Sequence, residues 1–157
     1  MLRHSLIAAA VLAVTAIAAP AQAAPIQGGG VTRQEVADWL SRKGVPAKIE
    51  SLDSGERIVA AETNGVKFDV YFYACKGERC ASVQFAAGWS GAENVSLDEV
   101  NSFMKDTRYA RVYKSGPGEL WVEYDTLVGP GASWELLDEH FVLVGAIFTK
   151  VTTTLDL

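Results

Sequence analysis

The segment from Phe68 to Ala87 restricts the fold more than any other stretch of the chain. Lys76-Gly77-Glu78-Arg79 is turn chemistry, and the residues around it sort into two faces if the turn closes an antiparallel hairpin. Cys75 then faces Cys80, Tyr73 faces Ser82 and Tyr71 faces Gln84. The alternate positions pair Ala74 with Ala81, Phe72 with Val83, Val70 with Phe85 and Phe68 with Ala87. This second set is wholly apolar and takes the core, because a slip of one residue would turn all of it into water. The amphipathic set carrying Tyr71, Tyr73 and Gln84 is left for the other face. Cysteines opposite one another at the hairpin tip can be bridged without moving the strands, and closing so short a loop is worth roughly 2 kcal/mol by chain entropy.

The flanking sequence extends this hairpin into an antiparallel meander. Asp53-Ser54-Gly55 and Asn64-Gly65 separate runs rich in Val, Ile, Phe and Tyr that are too short for helices. Asn64-Gly65 predicts a type I′ turn, which needs positive φ at both central residues. Thr32-Arg33-Gln34-Glu35 is a capping box with Val31 and Val36 as its hydrophobic staple, so a helix starts at Thr32 and stops by Gly44. Ser96-Leu97-Asp98-Glu99, stapled by Val95 and Val100, starts a second helix that ends near Asp106. Strands follow at Tyr109 to Lys114 and Glu119 to Leu127, joined by Ser115-Gly116-Pro117-Gly118. Arg111, Glu123 and Asp125 alternate with apolar residues on both sides there, so no inner face is assigned.

A long helix runs from Ser133 or Trp134 to about Val151. Leu137, Phe141, Val144, Phe148 and Val151 form one stripe and Leu136, Leu143 and Ile147 a second. One stripe covers the sheet. The other calls for a further partner, either another subunit or the first helix of the same domain. The expectation is a single α+β domain over residues 32–153, an antiparallel sheet packed by helices, behind a flexible lead at 24–31.

Residues 1–23 read as a signal peptide: Arg3 and His4 open it, Leu6 to Ala18 is apolar, and Ala21-Gln22-Ala23 is a small-x-small cleavage site. The expected destination is the periplasm or beyond, with no stable membrane insertion once the leader is cut. In such an oxidising compartment the Cys75 and Cys80 pair reads as a structural disulfide. Zinc needs more ligands than the one histidine of the mature chain, His140, can complete, so no metal is expected. A net charge of −5, with no basic run longer than Arg42-Lys43, excludes a phosphate-tracking surface and hence a nucleic-acid partner.

Catalytic material is scarce. His140 is flanked by Asp138 and Glu139 at spacings that do not face each other on a helix, and reads as a core or interface histidine. Ser90 in Gly88-Trp89-Ser90-Gly91-Ala92 misses the nucleophile elbow by its last residue. Glu123 and Asp125 share a strand face and form the one carboxylate pair of a hydrolase reading. Phosphate-cradling and dinucleotide motifs are missing, so no cofactor is expected and the chain reads as a non-enzyme. Binding remains, with a protein or peptide partner or a homodimer, and with Tyr71, Tyr73 and Gln84 as the partner-binding residues. Trp89, Trp121 and Trp134 are further material for an interface, or ordinary core. The alternatives are a small-ligand sensor with a pocket between sheet and last helix, and a small hydrolase.

The runs Val70-Tyr71-Phe72-Tyr73-Ala74-Cys75 and Cys80-Ala81-Ser82-Val83-Gln84-Phe85 with Gly88-Trp89, followed by Val100-Asn101 and Arg108-Tyr109-Ala110-Arg111, resemble the YbjN family of bacterial sensory transduction regulators. The resemblance spans about Thr32 to Val151. It implies an α+β domain similar to type III secretion chaperones, a fold that dimerises and binds polypeptide, and no enzyme activity. The leader is a departure, since a regulator of cytoplasmic signalling would not be exported, and the resemblance brings no binding residues with it.

Overall fold

The computed structural model describes residues 23–157, so all but the last residue of the expected signal peptide lies outside the described residues. Six strands form one antiparallel sheet: β1 (Ala47–Ser51), β2 (Arg57–Thr63), β3 (Val66–Lys76), β4 (Arg79–Ser90), β5 (Arg111–Gly116) and β6 (Glu119–Leu127), in the order β1-β2-β3-β4-β6-β5. Three helices, α1 (Arg33–Arg42), α2 (Leu97–Lys105) and α3 (Trp134–Thr154), complete the α+β domain. Among the described residues no helix is long and apolar enough to cross a membrane.

The local signals act where they were expected. Thr32 and Ser96 each accept the N3 backbone N–H while Glu35 and Glu99 return to the cap backbone, so α1 and α2 both start on complete capping boxes. Asn64 and Gly65 have φ of +50° and +77°, the two positive values a type I′ turn requires. The hairpin register holds at Cys75 with Cys80, Tyr73 with Ser82, Tyr71 with Gln84, Phe72 with Val83 and Val70 with Phe85.

Four details differ. Lys76 pairs with Arg79, so the turn is only Gly77-Glu78. Ala74 takes φ +52° and stands in solvent rather than in the core. The β3–β4 ladder stops at Asp69 with Ala86, so Phe68 and Ala87 are buried without pairing across it. β5 begins at Arg111 because Tyr109, at φ +69°, still belongs to the turn out of α2.

All three helices cover one face of the sheet. Phe141 and Phe148 of α3 stack against Phe68, with ring centroids 6.0 and 5.8 Å apart, and Phe141 also meets Phe85 at 6.0 Å. Trp39 of α1 fits between Phe85 and Phe141, at 6.5 and 5.4 Å. Phe103 of α2 closes the same core. These rings fill the centre of the layer between the sheet and the last helix.

The lead at 24–31 is not the free segment its composition suggested. Val31 N–H donates to the Cys80 carbonyl at 3.0 Å and Cys80 N–H to the Val31 carbonyl at 2.9 Å, so the lead pairs with β4 where β6 has ended. At its other end Ile26 N–H donates to Ala132 and Trp134 N–H to Ala24, and Pro25 bridges to Ser133. Ile26 and Val31 are buried, which anchors the lead by apolar area as well as by hydrogen bonds. The same contact buries Cys80 completely.

α1 does not cover the second stripe of α3. Their contact runs through Trp39, which meets Trp134 and Phe141 and donates from Nε1 to Asp138 at 2.7 Å, while Lys43 pairs with Asp138 at 2.6 Å. Ile147 is buried, but Leu136 and Leu143 stay 43% and 40% exposed.

Candidate functional site

The other face of the sheet carries no helix among the described residues. Alternation fixes its membership: Asp69, Tyr71 and Tyr73 on β3, Ser82, Gln84, Ala86 and Gly88 on β4, Trp121, Glu123, Asp125 and Leu127 on β6, and Arg111 and Tyr113 on β5. Cross-strand rows bring together Asp69, Ala86, Glu123 and Arg111 in one line and Tyr71, Gln84 and Asp125 in the next. Ile58, one place from the core residue Val59, points to this side and is 1% exposed, and Ala86 is 2% exposed. Neither belongs to the main core. The bare face therefore buries an apolar floor of its own under its long side chains.

A polar network braces those side chains. Glu123, only 8% exposed, accepts from Arg111, from the Tyr113 hydroxyl at 2.7 Å and from Gln84 Nε2 at 3.4 Å. Gln84 Nε2 also donates to Asp125 at 3.0 Å, and its Oε1 accepts from the Tyr73 hydroxyl at 3.3 Å. A buried carboxylate is tolerated because it is paired and hydrogen-bonded, and truncating any one partner leaves it short. The bond to Glu123, then burial, pushes the Tyr113 hydroxyl up to about 12, since ionising it would set two anions against each other. Burial, followed by neighbouring carboxylates, raises Tyr71 and Tyr73 as well. All three phenols thus stay neutral donors at ordinary pH.

The expected binding residues separate into two roles. Tyr71 is half-buried and Tyr73 is 44% exposed, so both present ring area to a ligand. Gln84 is 7% exposed with its amide already engaged, so it holds the face together and offers little to a partner. Sequence reasoning missed Arg111 and Tyr113 here, and offered Trp121 as interface material without placing it on this face. Their facing was left unassigned because Arg111, Glu123 and Asp125 share their face with large rings, Tyr113 and Trp121, that could equally have belonged to a core.

The catalytic candidates are not brought together. His140 hydrogen-bonds the Tyr124 hydroxyl through Nδ1 at 2.6 Å on the helix side, whereas Glu123 and Asp125 lie on the bare side. Ser90 ends β4, and among the described residues no cluster of three or more His, Cys, Asp or Glu could hold a metal ion.

A family model described as "Putative bacterial sensory transduction regulator", that of YbjN, matches residues 32–156. None of the curated proteins matches the sequence. Among solved structures, an uncharacterized protein from Methanothermobacter thermautotrophicus is similar in fold, with TM-score 0.55 and 14% identity over 80% of this chain and 97% of that one. E. coli YbjN, described as a putative transcription regulator, gives 0.51 and 10% identity over 76% of this chain and 90% of its own.

Proposed function

Because this chain belongs to the YbjN family, we propose that it acts as a non-enzymatic regulator by binding a protein or peptide of the bacterial envelope on the bare face of its sheet. The observation that carries this reading is the one-sided architecture. A face with its own buried floor at Ile58 and Ala86 displays Tyr71, Tyr73, Tyr113 and Trp121 over the polar network centred on Glu123 and Gln84. Large, pre-ordered aromatic rings lose little entropy on binding, and aromatic residues are enriched at the centres of protein interfaces. The envelope assignment rests on the leader at 1–23 and on a Cys75–Cys80 disulfide suited to an oxidising compartment.

A photo-crosslinking residue placed at Tyr73 tests the reading in cells, with Val142, 71% exposed on α3, as the control position. One recurrent polypeptide captured from position 73 and not from 142 is the expected outcome. The same capture profile from both positions, or none, refutes it. Capture of the chain itself favours the second reading, a homodimer, for which Leu127, Leu136 and Leu143 offer exposed apolar area.

A further inference from the structure

The two central strands part at one end of the bare face. Beyond the Asp69 and Ala86 pair the β3–β4 ladder ends, and a cleft of about 330 Å³ opens between the diverging strands. Gly88, facing it on β4, pairs with Trp121 on β6. A Cβ at Gly88 would stand 3.0 to 3.1 Å from three atoms of the six-membered ring of Trp121. The indole therefore crowds the glycine, and both residues line the cleft. A glycine inside a central strand weakens the strand and marks a close approach, here by that indole.

Asp69 forms the facing wall. It is half-buried and has neither a hydrogen bond nor an ion pair among the described residues. Burial, then the nearby Glu50, raises its carboxyl above the ordinary range, as befits an anion without a counter-ion. Glu119 on the far rim is bound by the Ser115 hydroxyl at 2.7 Å. Lys67, also on the rim, is exposed and pairs with neither carboxylate.

We propose that this cleft seats the ammonium or guanidinium group of a Lys or Arg side chain presented by the polypeptide on the bare face. The inference rests on the polypeptide-binding reading above. Asp69 supplies the opposite charge and the Trp121 indole, which lines the same cleft, a cation–π contact. An apolar side chain there would strand Asp69 away from water, and an anionic one would meet it as a like charge. The net charge of −5 favours approach by a basic partner.

The test is binding of blocked, extended peptides, identical except for a central Lys, norleucine or Glu, to the purified protein, with cadaverine as a free amine. The Lys peptide is expected to bind about tenfold tighter than the norleucine peptide. Asp69→Asn should remove that difference while leaving norleucine binding unchanged, and Trp121→Leu should reduce it. Equal binding of Lys and norleucine peptides to the unaltered protein overturns the cation seat and leaves the polypeptide reading intact. Asp69-dependent binding of cadaverine with no peptide binding keeps a cation site but overturns its polypeptide source. Binding of none of the probes overturns the inference altogether.

Discussion

The guanidinium of Arg79 meets both carboxylate oxygens of Glu35, with Nη2 2.7 Å from Oε1 and Nη1 3.1 Å from Oε2. Nη1 also donates to the carbonyls of Gln27 and Gly30, at 2.9 and 2.6 Å. One side chain at the β3–β4 turn thus ties down the lead and the first turn of α1, where Glu35 is already engaged in the Thr32 capping box.

Arg79→Ala should cost about 1–2 kcal/mol, mostly through the two backbone carbonyls it abandons. The ion pair adds little, since its side chains are 33% and 37% exposed. Urea denaturation measures the loss, and hydrogen exchange should speed up first at the Val31 and Cys80 amides. Burial works against ionisation of Glu35, but its bonds from the Thr32 backbone and Arg79 outweigh that and lower its carboxyl below 4.5. The contribution is therefore present above 4.5 and lost as pH falls through the lowered value. Glu35→Gln should flatten the acid limb of the stability curve; an unchanged limb refutes this.

Tyr113 should be the last phenol of the bare face to ionise, near 12. Because its folded value is raised, the stabilisation it brings is complete below the ordinary 10.0 and disappears as pH climbs from 10.0 toward 12. In an ultraviolet titration Tyr113→Phe should delete the highest component, and Glu123→Gln should bring that component back toward 10.0. A titration unaffected by either change refutes the Glu123 bond as the cause.

What was legible in the sequence was what neighbours in the chain decide. The boxes at Thr32 and Ser96, the Asn64-Gly65 turn and the Cys75 to Cys80 register each involve groups close in sequence. The lead was misjudged because its partners, Arg79, Cys80 and Ala132, are some fifty or more residues distant, and a strand paired at single points shows no periodicity. The frame around Glu123 was invisible for a related reason. Its partners come from β4 and β5, and only the β4–β6 register sets Gln84 beside Glu123 and Asp125. Glu119, Glu123 and Asp125 share one face of β6, and three acids on it gave no clue that Glu123 would be buried against Arg111.

Gly30 tests how tightly the lead is docked. Its φ is not in the left-handed region, so an added Cβ would suffer from crowding alone, standing 2.3 Å from the carbonyl oxygen of Cys80. That oxygen belongs to the backbone and is held by Val31, so it cannot swing aside. Gly30→Ala should cost about 1–3 kcal/mol, in the range of overpacked cores, and should break the Val31–Cys80 pairing. Gly29→Ala is the control for the lead as a whole: nothing lies within 4 Å of its Cβ, and it pays only for its φ of +75°. If exchange protection at Val31 and Cys80 survives Gly30→Ala, the lead is not clamped as described.

Cleavage after Ala23, the site expected from the sequence, would change the chemistry of one hydrogen bond. The Ala24 nitrogen donates to Glu135 Oε1 at 2.8 Å, beside the pairing of Pro25 with Ser133. In the uncut chain that nitrogen is a peptide N–H; in the cut chain it is an α-ammonium group, and the hydrogen bond becomes an ion pair. Glu135 lies in the first turn of α3, where a carboxylate favours the helix and a bare cation would oppose it. The bond from the Ala24 backbone is the largest influence lowering the Glu135 carboxyl below 4.5, so its contribution holds above that value and fades as pH falls through the lowered one. Glu135→Gln should therefore lower the urea midpoint of protein beginning at Ala24, and lower it less when the Ala24 amine is acetylated. The difference should shrink with added salt, because both groups are exposed. An equal effect in the two forms would show that the new terminus is not seated on Glu135, and N-terminal sequencing of the protein isolated from cells checks that the terminus is Ala24 at all.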